Sequence, residues 1–211
     1  FVYTAALKDD HPELVTAKEL GIPIMKRGAF LNEFLQTKNL KLIAVSGTHG
    51  KTTTTGMLVW LFKELGLPVS YVVGSNVSFA QSGAYEEGAE YFVYEADEFG
   101  KQFLELNPDI SVITTIEHDH PDTYPTEAEY FEAFRQFADQ SKQVFGWKDD
   151  LAKAGVENAT VIDEVLELNY PGEHNRRNGT LAIEVMQAAV GEKIATLSQK
   201  SESATDETEK N

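Results

Sequence analysis

The chain carries a short glycine loop whose residue types could bind a triphosphate. The loop lies between an apolar run at 40–45, typical of a buried strand, and a helical pattern at 51–65. Glycines let the backbone wrap closely around phosphate oxygens, and a helix N-terminus directs free N–H groups and partial positive charge at them. Lys51 would then neutralise the β- and γ-phosphates, and the Thr52 hydroxyl would bind Mg²⁺. The predicted nucleotide-binding residues of this segment are Gly47, Thr48, His49, Gly50, Lys51, Thr52 and Thr53.

This loop departs from the usual phosphate-loop pattern in one place. The usual pattern has a further glycine where Val45 stands, so the loop belongs to a shorter variant. A plain glycine turn into a helix, with an incidental lysine, is the alternative interpretation.

Two further segments have side chains that could hold a metal ion, and each follows an apolar run. Glu95-Ala96-Asp97-Glu98 ends one run, and Glu117-His118-Asp119-His120-Pro121-Asp122-Thr123-Tyr124 follows another. Carboxylates crowded near a phosphate would repel it unless they share a cation, so a carboxylate here is a candidate Mg²⁺ ligand. A neutral imidazole can also ligate a metal while a nearby carboxylate fixes its tautomer. For each segment taken alone, a solvated polar loop is the alternative.

A fourth segment, Pro171 to Asn178, begins the last helical pattern of the chain. Its histidine and asparagine side chains could stack on a purine and hydrogen-bond its edge. By itself, a turn followed by an N-capped helix is the simpler interpretation.

The pattern between these segments indicates the scaffold that must position them. Apolar runs alternate with helical patterns almost throughout, which predicts an α/β fold with a mostly parallel sheet flanked by helices. Ligands of such sheets bind beyond the carboxyl ends of the strands, so the chain is predicted to be a P-loop-type mononucleotide-binding domain. Predicted strands lie at 1–7, 22–25, 40–45, 69–73, 91–95, 110–116, 143–145 and 160–162. Predicted helices lie at 12–20, 29–35, 51–65 and 175–190, and Gly191 is predicted to end the last of them. A further helix is predicted to begin at a capping box formed by Thr126 and Glu129.

Net charge and composition weigh against three kinds of function, namely nucleic-acid binding, membrane association and cysteine-based metal or disulfide sites. The net charge of -16 weighs against nucleic acid as a partner, because phosphates would be repelled by most of the surface. The chain has neither an apolar run of about 18 residues nor a basic-then-apolar leader, so we expect no membrane partner and a cytoplasmic location. Cysteine is absent, which excludes disulfides and thiolate metal sites.

Together the four segments resemble the Mur ligases, the ATP-dependent amino-acid ligases of bacterial cell-wall synthesis. That family carries a GTHGKT loop, an EADE strand end, a DH-x-D-x-Y segment and a PG-x-HN-x-x-N helix start, in the order found here over about residues 1–190. Within the family, the chain is most similar to the branch that joins L-alanine to UDP-N-acetylmuramate. The branch that adds a recycled peptide to the same sugar nucleotide is a rival. A phosphate-loop kinase or NTPase and an inactive ATP-binding remnant are alternatives of other classes.

The resemblance also implies roles for individual residues. ATP and Mg²⁺ would be the cofactors, and the carboxylate of UDP-N-acetylmuramate would be activated as an acyl phosphate for attack by L-alanine. Lys51, Glu95 and His120 would be catalytic, with a second Mg²⁺ shared by Glu95 and His120. The implied metal ligands are Thr52, Glu95 and His120, and the residues implied to bind adenine are His174, Asn175 and Asn178.

The same resemblance divides the chain into three parts. Residues 1–38 would be a remnant of an N-terminal UDP-sugar-binding domain. The end of this remnant overlaps a polar stretch at 36–39 that is predicted to be a linker to the main domain. Residues 39–192 would be the central ATP-binding domain, and 193–211 a disordered polar tail with the C-terminal domain absent. The chain departs from the family in having Phe99-Gly100 where Ser-Asp is usual. It is also shorter between Trp147 and Tyr170, where a β-rich insert is expected.

Overall fold

Strands and helices alternate along the part of the chain that the computed structural model describes, which is residues 1–4, 7–75, 79 and 81–208. The strands are β1 (Val2–Tyr3), β2 (Met25–Lys26), β3 (Lys41–Ser46), β4 (Val69–Val72), β5 (Gly83–Ala84), β6 (Tyr91–Glu95), β7 (Ile110–Ile113), β8 (Gln143–Trp147) and β9 (Thr160–Ile162). The helices are α1 (Pro12–Glu19), α2 (Arg27–Lys38), α3 (Lys51–Glu64), α4 (Glu127–Asp139), α5 (Lys148–Ala154) and α6 (Glu173–Thr208), with a 3₁₀ segment at Phe99–Glu105.

Seven strands form the main sheet in the order β5-β4-β6-β3-β7-β8-β9. All neighbouring pairs are parallel except β4 with the short edge strand β5. This confirms the predicted α/β fold with a mostly parallel sheet. In the centre, Val45 of β3 pairs with Glu95 of β6 and with Val112 of β7. The loops that follow these three strands therefore leave the sheet at the same edge.

Helices cover both faces of the sheet, so strands such as β3 are apolar along almost their whole length. On one face, α3 and α6 pack over a core that includes Leu58, Phe62 and Val185. On the other, the 3₁₀ segment and α4 enclose an aromatic cluster in which the Phe103 and Phe137 rings lie 4.8 Å apart. Burial of each such side chain stabilises the fold by about 1.5–3 kcal/mol, so both faces hold the central strands in place.

Local sequence signals fix several element ends. The Thr126 side chain accepts a hydrogen bond from the Glu129 amide at 3.3 Å, which confirms the predicted cap of α4. Strands β6 and β9 have the predicted bounds. Elements β5, α5 and the 3₁₀ segment were not predicted, since each is too short to show a periodic pattern.

The predicted linker at 36–39 is wrong. Helix α2 runs to Lys38 because Leu35 is still buried against the core, and Asn39 ends the helix with a left-handed φ of 53°. The small sheet formed by β1 and β2 lies before this helix. The division of the chain at residue 38 stays a prediction.

The predicted end of the last helix at Gly191 is also wrong. Helix α6 continues through it to Thr208, because residues with good helix propensity follow and one glycine costs only about 1 kcal/mol. The backbone of 193–208 is thus helical where we expected disorder, and 209–211 lie outside the described residues. None of the helices in the described part of the chain has the length and apolar character needed to cross a bilayer.

Candidate functional site

The glycine loop between β3 and α3 is pressed against the chain that follows β7. Gly47 has a φ of 135°, and a β-carbon there would lie 2.8 Å from the carbonyl oxygen of Thr115. The Thr115 carbonyl accepts a hydrogen bond from the Thr48 amide at 3.0 Å, and the Thr115 hydroxyl accepts one from the His49 amide at 2.9 Å. Only glycine fits this approach, so the path of the loop is fixed against the chain that follows β7.

Thr48 uses its side chain to hold the loops together. Its hydroxyl donates to the Glu117 carbonyl at 2.8 Å and accepts from the Glu117 amide at 2.9 Å. The Tyr130 hydroxyl lies 2.8 Å from the same oxygen. Because the single Thr48 hydroxyl proton is donated to Glu117, the Tyr130 phenol is the donor in this contact, and burial raises the pKa of Tyr130. Thr48 was predicted to contact the nucleotide, but here its hydroxyl fixes the loop after β7.

Lys51 lies at the first position of α3 and is surrounded by acceptors. Its ammonium donates to the Gly47 carbonyl at 2.6 Å and to both carboxylate oxygens of Glu98 at 2.9 Å. Glu98 is fully buried. The cation that the sequence assigns to phosphate is therefore paired with Glu98, a member of the predicted acidic segment that was given no individual role.

Thr52 and Glu95, which the sequence assigned to two different Mg²⁺ ions, lie in direct contact. The Thr52 hydroxyl donates to Glu95 at 2.8 Å, and the second carboxylate oxygen of Glu95 accepts from the Gly74 amide at 2.7 Å. A hydroxyl beside a carboxylate is an oxygen donor set that suits Mg²⁺.

His120 lies with other carboxylates than the one we predicted. Among the described residues, its ligand atoms group within 4.8 Å with those of Asp97 and Glu98, and Glu95 is not a member. The His120 Nε2 atom is 3.5 Å from Glu98. The His120 backbone is left-handed, with a φ of 55°, and its amide donates to Asp119 at 2.6 Å. That hydrogen bond lowers the pKa of Asp119.

Two buried groups lie behind the site, namely Tyr124, which the sequence placed in a motif without a role, and Asp150, which it did not single out. Tyr124, fully buried, donates its hydroxyl to the Glu98 carbonyl at 2.6 Å, and burial raises the pKa of this phenol. Asp150 accepts from the Ile116 amide at 2.9 Å and lies 3.7 Å from Arg177. A buried tyrosine at the end of a motif was a usable signal, whereas Asp150 stands in a charged run that is typical of a solvated helix start.

The beginning of α6 reaches the glycine loop. A β-carbon on Gly50, whose φ is 85°, would lie 2.6 Å from the Asn178 side-chain oxygen, so the Asn178 amide lies directly against the loop. Asn175 lines a neighbouring cavity, while the His174 ring lies over Gly172. Of the three predicted adenine-binding residues, the structure thus brings Asn175 and Asn178 to the loop and its cavity.

That cavity has a volume of about 690 Å³ and lies between α3 and α6. Its walls are mostly apolar. The lining residues with polar side-chain groups are Thr52, Thr53, Asn169, Tyr170 and Asn175, and the apolar ones include Met57, Trp60, Leu61, Phe79, Leu168 and Ile183. The size and the few polar groups are typical of a small-molecule site.

The chain is similar to known proteins over most of its length. It is 43% identical over 137 residues to the UDP-N-acetylmuramate–L-alanine ligase of Frankia casuarinae, covering 65% of this chain and 27% of the relative. It is 36% identical over 169 residues to the enzyme of that name from Lactiplantibacillus plantarum, covering 80% and 36%. The chain thus spans about a third or less of the length of these curated relatives.

A solved structure has the same fold. The UDP-N-acetylmuramate–alanine ligase MurC of Thermotoga maritima superposes with a TM-score of 0.75 at 26% identity, over 89% of this chain and 50% of that one. The family model described as the Mur ligase middle domain matches residues 45–162, which is more than half of the 211 residues. The chain therefore belongs to the Mur ligase family and carries that family's middle domain.

Proposed function

We propose that the chain is the ATP-binding part of a ligase that joins L-alanine to the carboxylate of UDP-N-acetylmuramate in peptidoglycan synthesis. The observation that carries the proposal is the glycine loop with Lys51 and the Thr52–Glu95 pair at one edge of the sheet. The choice of L-alanine rests on relatives that are 36–43% identical and bear that activity in their names. A cytoplasmic location goes with this function and stays a prediction.

The reaction needs an activated carboxylate, because a carboxylate oxygen is a poor leaving group. The acceptor carboxylate would attack the γ-phosphorus of ATP, which breaks the bond to the β-phosphate and releases ADP. The free amine of L-alanine would then attack the acyl carbon. Inorganic phosphate leaves and the amine loses a proton, so that the product is an amide.

The obstacle is electrostatic, because an anionic carboxylate must approach an anionic triphosphate. Two unit charges about 4 Å apart repel by about 4 kcal/mol at an effective dielectric constant near 20. In this chain the Lys51 ammonium and the N–H groups at the start of α3 would bind the phosphates. Thr52 and Glu95 would hold Mg²⁺, which when bound supplies further charge neutralisation.

The cavity beside Thr53 would take the adenine ring. Its apolar walls suit the faces of a purine, and the amide groups of Asn169 and Asn175 can hydrogen-bond its edge. The cavity lies at the α3 end of the loop, which leaves the His120 side of the loop for the γ-phosphate and the acceptor.

The first test uses the intrinsic fluorescence of Trp60, which lines the cavity and is half exposed. We expect Mg·ATP to change the emission of the chain in a saturable manner and Mg·GTP to do so far more weakly. The matched control is Trp60→Phe, which retains the buried Trp147 and should lose most of the signal. A chain that binds neither nucleotide by calorimetry would overturn the proposal.

The second test addresses the reaction class. The release of phosphate from ATP is measured in the presence of UDP-N-acetylmuramate, with and without L-alanine. A ligase releases phosphate only when both substrates are added. A phosphate-loop kinase or NTPase releases phosphate independently of them, and a pure binding module binds ATP without releasing phosphate.

A further inference from the structure

We propose that Glu98 is a positioning residue of the ligase reaction, whose buried carboxylate holds the phosphate-binding cation of Lys51 and the ring of His120 in one arrangement. The inference deepens the proposed function and rests on it. The proposed function assigns the phosphates to Lys51 and the Mg²⁺ to Thr52 and Glu95, and it gives Glu98 no role of its own.

The first support is the burial of the Glu98 side chain, which is 0% exposed while that of Lys51 is 17% exposed. A carboxylate removed from water is strongly unfavourable unless a cation and hydrogen bonds compensate it. Lys51 supplies both, at 2.9 Å from each carboxylate oxygen. The pair therefore fixes the ammonium as well as the carboxylate.

The second support is that Glu98 joins all three loops of the site. It follows β6, it binds Lys51 of the loop after β3, and it lies 3.5 Å from the Nε2 atom of His120 in the loop after β7. Its own carbonyl is held by the buried hydroxyl of Tyr124 at 2.6 Å. Moving any one of these loops would disturb the others through a single side chain.

The third support concerns what must happen when a nucleotide arrives. An ammonium has three N–H donors, and the Lys51 ammonium has three acceptors around it, namely the Gly47 carbonyl and the two oxygens of Glu98. Phosphate oxygens can gain a donor from Lys51 only if one of these bonds is given up. The Glu98 charge must therefore oppose nucleotide binding while it orders the groups that react.

Two substitutions of Glu98 should differ in their effect on Mg·ATP binding, because one removes the charge and the other keeps it. Glu98→Gln keeps the shape and removes the charge, so Mg·ATP should bind to this chain about tenfold more tightly, and Mg·ADP should gain less because it lacks the γ-phosphate. Glu98→Asp keeps the charge, so its Mg·ATP affinity should stay near that of the parent chain. A general structural defect would weaken nucleotide binding in both variants.

A double-mutant cycle tests the pairing without any ligand. Lys51→Ala leaves the buried carboxylate without its cation and should lower the midpoint of thermal unfolding by roughly 5 to 10 °C. The double variant Lys51→Ala/Glu98→Gln should recover at least half of that loss. Additive effects of the two changes would show that they do not act as a pair.

These measurements separate the two proposals. If the parent chain binds Mg·ATP but Glu98→Gln shows neither tighter binding nor coupling to Lys51, the role of Glu98 is overturned and the nucleotide site stands. If the parent chain binds no nucleotide, the proposed function fails and the positioning role fails with it. Tighter Mg·ATP binding by Glu98→Gln, with coupling in the cycle, supports both.

Discussion

The two edges of the sheet hold ion pairs of nearly equal length but of different kinds. At the carboxyl edge, Lys51 lies 2.9 Å from Glu98, with side chains that are 17% and 0% exposed. At the amino edge, Lys41 lies 2.8 Å from Glu90, with side chains that are 52% and 39% exposed. Distance alone therefore does not separate them, and the difference lies in how much water each pair has lost.

This difference decides what each pair can do. An exposed pair is worth about 0–1 kcal/mol, because water and salt screen it and its loss leaves two solvated charges. A buried pair contributes little net stability when it is intact, but removing one partner leaves an uncompensated charge at a cost of several kcal/mol. The buried Lys51–Glu98 pair at the carboxyl edge thus couples the loops that it joins, whereas losing one partner of the exposed Lys41–Glu90 pair should have little effect on the rest of the fold.

The largest effect that would test this comparison is on nucleotide binding. We expect Lys51→Ala to weaken Mg·ATP binding at least a hundredfold, equivalent to about 2.7 kcal/mol or more, because a charged donor to the phosphates is lost. The matched control is Lys41→Ala at the opposite edge, which should bind as the parent does. Calorimetric titration measures both, and equal affinities for the two variants would end the phosphate-binding role of the loop.

The next largest effect is on stability and involves Asp150. Its buried carboxylate accepts from the Ile116 amide at 2.9 Å, so Asp150→Ala leaves a buried donor without a partner. We expect a loss of about 2 kcal/mol in the free energy of unfolding. Asp150→Asn keeps an acceptor oxygen and should lose clearly less. Urea unfolding gives both values, and identical losses would mean that the hydrogen bond is not what matters.

The sequence predicted the scaffold of this site better than its contacts. Strand β6 and the cap of α4 depend on patterns within a few residues, so they could be read locally. The convergence of the loops after β3, β6 and β7 followed from the rule that parallel strands present their carboxyl ends at one edge. The direct contact between Thr52 and Glu95 was not predicted, since the sequence assigned Glu95 to a second Mg²⁺ shared with His120.

The contact between His120 and Glu98 could not be predicted in that way. Which carboxylate of the EADE segment faces which loop depends on how the chain turns after β6. There Gly100 and Lys101 have left-handed φ values of 61° and 58°, a conformation that no periodic pattern reveals. The continuation of α6 past Gly191 was missed because a single glycine was given more weight than the residues beyond it.

A smaller effect concerns the Mg²⁺ requirement. We expect His120→Ala to raise the Mg²⁺ concentration needed for half-maximal ATP binding about fivefold, with less change in affinity at saturating Mg²⁺. The reason is that a candidate imidazole ligand of a second Mg²⁺ is lost, while Thr52 and Glu95, the proposed ligands of the first, remain. The control is His174→Ala, whose ring lies over Gly172. Titrations with Mg²⁺ at fixed ATP measure this, and overlapping curves for His120→Ala and the parent would exclude a metal role for His120.

The smallest effect belongs to the amino edge and is a dependence on pH. Hydrogen bonds from Lys193 and Lys41 lower the pKa of Glu90 from its ordinary value near 4.5. A carboxyl group with a lowered folded-state pKa stabilises the fold above its unfolded pKa, and that contribution is lost as the pH falls through the folded value. Because the Glu90 carboxylate is largely solvated, we expect it to contribute at most a few tenths of a kcal/mol to the free energy of unfolding. Urea unfolding at pH 6 and near pH 3.5 should show a slightly smaller acid-induced loss for Glu90→Gln than for the parent, and 1 M NaCl should remove the difference. A large difference that resists salt would mean that this pair is as buried in effect as Lys51 with Glu98, and the contrast between the two edges would fail.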